Sequence, residues 1–405
     1  MIISNSIIDK LQWGLYMNEQ NFRILDIVKA RFEDIYGNNA PKAFLKRLEM
    51  EKAKYLLGYG ALLFDEILGK IKSSLRNMRY HSHYSITYGS TLISYLLGVT
   101  DNNPLPLHYY CPACKKVEII DSTLTMWDIE AKKCECGGKM NAQGFNIPYE
   151  IHSTLIDAPG GTLFVGFEGL DAAYNTIREI LKDYNYIEEA DSYTNDKIFT
   201  ILPKNAVVST DSEPMYKRYS YITVTPKAFL DELRMLESKH EIKYEDIDFS
   251  KINLDLVKLD FGLLENTEIA NIKPQSKLEL LKICGLLHGT NVWIDNGENL
   301  LQKGIITLSE LPAFRDDIFE IIKPEVERIG ANLRYAEKIT RQVRMGRFAL
   351  NMVSPDVDEV YSQLKLPKWF EEFICSIRYM FAKAHGIELC KINMAISYYK
   401  SIKNN

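Results

Sequence analysis

Long apolar runs are missing from this 405-residue sequence. None approaches the roughly 18–20 residues that a membrane-spanning helix needs. The opening stretch, MIISNSIIDKLQWG, has no basic start, long apolar core or small-residue cleavage site of the kind a signal peptide carries. Bulk positive charge is missing too. Lys and Arg number 49 against 54 Asp and Glu, a net of 49 − 54 = −5, so the chain as a whole does not advertise attraction to nucleic acid. Cysteine is sparse and odd in number, seven residues, which speaks against the dense framework of a small secreted domain. Internal repeats and low-complexity linkers are also lacking. These absences lead us to expect a cytoplasmic protein. Apolar residues make up 46%, enough for real cores, and the length suggests two or three domains or one large subdivided one.

Charge is spread unevenly. Ala331 to Asn405 carries 12 Lys/Arg and 7 Asp/Glu, a net of 12 − 7 = +5, which leaves −10 for the first 330 residues. That asymmetry points to a C-terminal part facing a polyanion or a partner. Residues 39–78 have helical spacing interrupted at Gly58 and Gly60, so two helices are expected. Residues 84–99 read as a strand, a turn at Gly89-Ser90 and an apolar helix. GGTLFVGFEG (160–169) reads as a strand and LDAAYNTIREILKDY (170–184) as an amphipathic helix. YSYITV then predicts a strand, followed by a helix capped by Thr225 with Pro226 in its first turn. LVKLDFG (256–262) alternates like a strand, with Lys258 and Asp260 on one side. From about residue 275 the pattern is mainly helical.

Four of the cysteines cluster. HYYCPACKK and KKCECGG place Cys111, Cys114, Cys134 and Cys136 in a C-x2-C-x19-C-x-C pattern. Two close pairs separated by a loop suit one tetrahedral Zn2+. Four cysteine ligands leave no open position, so such a zinc is structural. Four free or redox-active thiols are the competing reading. Cys284, Cys375 and Cys390 sit in apolar helical contexts and are expected to be small core residues.

The order of motifs carries a resemblance. NNPLPLHYYCPACKK, CECGG and GFNIPYEI are followed by LVKLDFG, then by LLKICGLLHGTNVWIDNGENLLQKGIITLSELPAFRDDI (280–318) and LPKWFEEFICSIRYMFAKAHG (366–386). This series resembles the catalytic core of PolC-type bacterial DNA polymerase III over most of residues 37–400, with a divergent and shortened middle around 185–250. The resemblance implies an α+β fold: a nucleotidyltransferase (polymerase beta-like) palm with a zinc-stapled excursion, then an α-helical fingers domain. We accordingly expect a helical entry and first palm segment at 1–105, the four-cysteine segment at 106–150, a second palm segment at 151–270 and the fingers at 271–405.

The same resemblance exposes departures. The family holds two Mg2+ ions between a D-x-D pair on one strand and a third aspartate on a neighbour. Alternate strand residues share a face, which is why the pair is spaced by one residue. Aligning the family's F-x-G with Phe167-Glu168-Gly169 puts Thr162 and Phe164 at the paired positions, and neither carries charge. Asp157, Glu168 and Asp171 fall off register. Asp260 matches the third aspartate, and one carboxylate alone binds Mg2+ poorly. It reads either as a vestige or as a surface residue paired with Lys258. The family's glycine-rich loop corresponds to HYSITYGST, where Gly89 and Ser90 survive and Ser85 replaces an arginine.

Other positions are kept. His288, Arg315, Lys383 and His385 match family residues on the surface that meets the incoming triphosphate. With Gly89 and Ser90 they form a nucleotide-binding-like set, against the plainer reading of packed structural histidines. Arg334, Lys338 and Arg341 recur at i, i+4, i+7, a basic stripe suited to DNA phosphates or simply a solvated helix face. At 405 residues we expect the sequence to be too short for the family's exonuclease, clamp-binding tail and tandem helix–hairpin–helix segment.

These readings converge on a catalytically inactive polymerase-core relative that binds DNA or a replication protein, an accessory or regulatory factor expected of a phage or mobile element. An active nucleotidyltransferase using Mg2+, alone or completed by another chain, is the first alternative. A zinc-stabilised protein-interaction module is the second.

Overall fold

The computed structural model describes residues 5–402 except 58–59, 85–89, 150–159, 203–218 and 258–271. Three helices open the chain: α1 (Asn5–Tyr36), α2 (Lys42–Leu57) and α3 (Ala61–Asn77). Gly60, at a left-handed φ of 77°, precedes α3, so the expected break between two helices is present. Strand β1 (Ser82–Tyr84) and the short α4 (Leu92–Leu96) follow. Strands β2 (His108–Tyr110), β3 (Val117–Ile119), β4 (Lys132–Lys133) and β5 (Lys139–Gln143) form a small antiparallel sheet ordered β3-β2-β5-β4 around the cysteines.

The larger sheet combines β1 with β6 (Gly160–Val165), β7 (Asn185–Ala190), β8 (Lys197–Leu202) and β9 (Ser220–Pro226), in the order β1-β6-β9-β8-β7. β6 and β9 run parallel; every other pair is antiparallel. The parallel pair is linked through α5 (Leu170–Leu181) and the β7–β8 ribbon. Period-two alternation then sorts side chains. Leu163 and Val165 of β6 and Ile222 and Val224 of β9 join Leu68, Ile71, Ala173 and Ile177 in one core beneath α3 and α5. Phe164 points the other way and packs on a second core. That core is built from α6 (Ala228–His240), α7 (Lys277–His288), α8 (Glu298–Gln302), α9 (Arg315–Arg328), α10 (Arg334–Arg344), α11 (Pro355–Tyr361), α12 (Lys368–Ser376) and α13 (Lys383–Ser401). The molecule is thus mixed α+β, and the helical character expected beyond residue 275 is present. No helix among the described residues is long and apolar enough to cross a membrane.

Two expectations need correction. Thr225 does not cap α6. Strand pairing with β6 runs on through Thr225 and Pro226, and the Lys227 amide still donates to the Val165 carbonyl at 2.8 Å. Pro226 costs the ladder little at the strand's end, and α6 begins only at Ala228. Cys375 is not a core residue. Cys284 and Cys390 are buried, but α12 turns Phe370, Phe373 and Ile374 inward and leaves Cys375 exposed. Of the expected strand at 256–262, Lys258 to Gly262 lie outside the described residues.

A polar knot ties the helices beneath α4. Glu51 of α2, fully buried, accepts hydrogen bonds from the Leu92 and Ile93 amides at 3.0 and 2.9 Å and pairs with Arg47. Asp65 of α3 accepts from Tyr55 at 2.8 Å and Ser94 at 2.7 Å. Burial pushes the Asp65 carboxyl up to about 7, against the pull of those two hydroxyls. The folded state therefore holds this proton more tightly than the unfolded chain, and that contribution to stability is lost as pH rises from the ordinary value of 3.8 through about 7. Asp65→Asn should flatten the decline of unfolding free energy across this window; urea denaturation at half-unit pH steps checks it, and an unchanged slope would refute it.

Candidate functional site

The four cysteines come together as their spacing predicts. Their sulfurs lie within 4.8 Å of one another, with Cys111–Cys136 and Cys114–Cys134 both at 3.6 Å. A disulfide needs about 2.05 Å. Four sulfurs each about 2.3 Å from a tetrahedral zinc would stand about 3.8 Å apart, so the cradle matches a metal. Two tight turns shape it. The Lys115 amide donates to the Cys111 carbonyl at 2.8 Å, and the Gly137 amide to the Cys134 carbonyl at 2.9 Å. Lys115 and Gly137 take positive φ, 63° and 87°. A Cβ on Gly138 would sit 3.1 Å from the Cys111 sulfur and 3.4 Å from that of Cys136, so glycine leaves room for the thiolates.

The electrostatics of the cradle favour a cation. The Cys114 amide draws the Cys111 thiol down to about 7. The Gly138 amide favours the Cys136 thiolate as well, but the Cys114, Cys134 and Cys111 sulfurs outweigh it and push that thiol up to about 12. One thiolate forms readily and the last resists, unless a positive ion offsets the crowding. Among the described residues, these cysteines are the one group of three or more His, Cys, Asp or Glu side chains close enough to share an ion.

The second location is the outer face of β6. Thr162 and Phe164 share that face, as one-residue spacing requires. Phe164 stands opposite His83 of β1, with ring centroids 4.9 Å apart. The Lys227 ammonium lies 5.1 Å from the Phe164 ring, a cation–π distance. His385 of α13 stands 6.4 Å from Phe164 and 6.3 Å from His83, between centroids. His385 Nε2 is 3.2 Å from His288 Nε2 of α7, and the Phe381 ring lies tilted 4.0 Å from His288 and stacked 5.5 Å from His385. The face is therefore filled with rings. Burial lowers all three imidazoles: His288 to about 4, His385 to about 3 with help from His288 and Lys227, and His83 well below its ordinary value. They are neutral near pH 7, so one of the His288–His385 pair donates its N–H to the other. Asp157 and Asp260 lie outside the described residues. Glu168 is on the surface, bonded to Arg234 at 2.5 Å, and Asp171 is exposed at the start of α5.

The remaining positions fall into two groups. Arg315 starts α9, and its amide donates to the Phe381 carbonyl at 3.0 Å; the Lys383 amide donates to Asp316 at 2.9 Å. These bonds stitch α9 to α13; the neighbours that act on the Arg315 and Lys383 side chains include Asp316, not His288 or His385. Arg315 is only 2% exposed, and burial pushes its guanidinium down to about 10; burial lowers Lys383 as well. Gly89 lies outside the described residues, whereas Ser90 is buried and its carbonyl accepts from Arg47 at 3.2 Å. The next free amides are taken by the chain itself: Leu92 and Ile93 by Glu51, Ser94 by the Thr91 hydroxyl at 3.0 Å. A phosphate reaching them must displace a carboxylate that solvent does not touch.

On α10, Arg334 and Arg341 are exposed, while Lys338 bonds Asp356 at 2.6 Å. Sequence reasoning missed His83, Lys227, Phe381 and Glu51. Only the alternation of HSHYS offered a hint for His83; the others depend on tertiary contacts.

No family model matches the chain. The curated proteins it matches include DNA polymerases III of PolC type. Specifically, the chain is 24% identical to the DNA polymerase III PolC-type of Thermotoga maritima across 93% of its own length and 34% of that protein. It is 25% identical to the DNA polymerase III PolC-type of Ureaplasma parvum, across 97% of the chain and 33% of the relative. With that of Streptococcus agalactiae the figures are 24%, 95% and 32%. The chain is thus similar to PolC-type polymerases over nearly all of its residues, as its motifs indicate, and spans about a third of the length of the relatives it matches.

Metal content tests the cysteine cradle. Elemental analysis of the purified protein should find one tightly held divalent ion per chain, retained on dialysis. Cys111→Ser should reduce this to none and lower the thermal midpoint, because uncompensated thiols then crowd one another. Full stability without metal would refute it.

Proposed function

We propose that this protein is a non-catalytic relative of the PolC polymerase core that binds DNA, alone or with a replication protein, within the cytoplasmic replication machinery. On this reading the five-stranded sheet is a polymerase beta-like nucleotidyltransferase palm, the C-terminal helices α7–α13 are its fingers, and the four cysteines hold a structural Zn2+. One observation carries the proposal: the β6 face where the family's paired aspartates fall bears Thr162 and Phe164, and Phe164 packs against His83 with Lys227 over its ring. Mg2+ requires oxygen ligands and gives up its water reluctantly. A benzene ring, an ammonium and neutral imidazoles offer it no negative charge. Asp260 is then a vestige of the metal site.

Binding outlasts chemistry in this reading. Exposed Arg334 and Arg341 supply phosphate contacts, with Lys338 sharing its charge with Asp356. The His288–His385 contact and the bond from Lys383 to α9 favour a second reading: an active nucleotidyltransferase whose carboxylates come from Asp260 and another chain.

Gel-shift and primer-extension assays separate the two. At about 50 mM salt the protein should retard primed DNA, and binding should weaken steeply as salt rises. Arg334→Ala/Arg341→Ala should lower affinity and reduce the salt slope by about one to two. No Mg2+-dependent extension is expected. Extension that vanishes in Asp260→Ala would overturn the non-catalytic reading and establish the second.

A further inference from the structure

The turn that follows α10 carries a surface that neither the metal cradle nor the β6 face uses. Met345, Leu350 and Met352 are 42%, 50% and 57% exposed within eight residues of chain. Backbone bonds fold this stretch compactly: the Leu350 amide donates to the Gly346 carbonyl at 3.1 Å and the Met352 amide to the Arg347 carbonyl at 2.8 Å. Phe348 alone turns inward, packing 4.9 Å from the Tyr361 ring, and so anchors the turn while its aliphatic neighbours stay out. The turn abuts a second segment. Gly346 sits so close to Arg378 that a Cβ would fall 2.6 Å from the Arg378 carbonyl oxygen, and the Met380 amide donates to the Arg344 carbonyl at 3.2 Å.

Four arginines lie on or beside this turn. Arg341, Arg347 and Arg378 are exposed and Arg344 is half-buried. None of the four forms an ion pair among the described residues, whereas Lys338, one turn earlier, is paired with Asp356. Exposed aliphatic groups flanked by guanidiniums without ion-pair partners suit a ligand that is both apolar and anionic. Single-stranded DNA meets the second need but stacks its bases on aromatic rings, and this centre has none. Methionine and arginine are the side chains that protein interfaces favour, methionine because its unbranched thioether adapts to a partner's shape. An acidic amphipathic segment supplies both complements.

We propose that the Met345–Met352 turn, with Arg378 beside it, is a docking surface for an acidic amphipathic segment of a partner protein. The inference does not depend on the polymerase-core reading and stands if that reading fails.

Fluorescence anisotropy of the full chain tests it with three labelled probes: a helical peptide with leucines on one face and glutamates on the other, the same peptide with serine for every leucine, and oligo(dT). The wild-type protein should bind the amphipathic peptide at least about tenfold tighter than the serine peptide, as a hydrophobic centre within a charged rim requires. Met345→Ser/Leu350→Ser/Met352→Ser should abolish that preference with an unchanged thermal midpoint, since the three side chains are exposed. Arg347→Glu/Arg378→Glu should weaken both peptides. Equal binding of the two peptides by the wild type would overturn the proposal. So would a serine variant that keeps the preference, or one whose affinity for oligo(dT) falls as much as for the peptide.

Discussion

The parallel pairing of β6 with β9 is the constraint on which the rest of the molecule depends. It fixes six residue pairs, from Gly160 opposite Tyr221 to Val165 opposite Pro226. Because side chains alternate, this register commits Leu163 and Val165 to the core under α3 and α5 and turns Thr162 and Phe164 toward the C-terminal helices. A slip of one residue would exchange these sets, burying a hydroxyl among aliphatics and presenting leucine to the histidines. The two cores therefore meet through one strand, and the composition of its outer face follows from the same register that stabilises its inner one.

The cysteine sheet has a comparable mechanical role at the other end of the first core. His108, at the start of β2, is buried with its ring 4.8 Å from Phe44 and 5.6 Å from Tyr36. The Lys115 ammonium donates to the Asp34 carbonyl at the end of α1, and Asn103 donates to the Tyr36 hydroxyl at 2.6 Å. The strands that carry the thiols are two to five residues long, and their own local core is Cys111, Cys134 and Met140 with Tyr109. So small a cluster cannot hold a sheet by hydrophobic burial alone. A metal bridging the two turns would supply what the apolar contacts lack, and the rings of Tyr36, Phe44 and His108 connect this sheet to the opening helices.

Much of this was legible in the sequence because it is local. C-x2-C and C-x-C turns announce sulfur ligands; GGTLFV announces a strand and its alternation; the break at Gly60 follows from backbone freedom. The α6 cap was misplaced because Thr-Pro is a strong local signal, and the tertiary pairing of β9 with β6 overrode it. Cys375 was misassigned because an apolar context in sequence does not reveal which side of α12 faces inward. The ring cluster was beyond reach for another reason. His83, Phe164, His288 and the Phe381–His385 pair come from four separate stretches, and no periodicity within any one stretch reveals that they converge.

That convergence bears on which side chains the outer face of β6 can hold. Carboxylates at positions 162 and 164 would lie on one face, repelling each other and resisting burial unless metal neutralised them. Threonine and phenylalanine carry no such repulsion, and the phenylalanine makes contacts with His83, His385 and Lys227. With Phe164 packed there, burial is the main cause that keeps the His83 and His385 imidazoles neutral, and neighbouring groups, Lys227 among them, add to it. An aspartate at position 164 would place a carboxylate among these rings, with the Lys227 ammonium beside it. The packing of this face therefore opposes such a substitution on physical grounds.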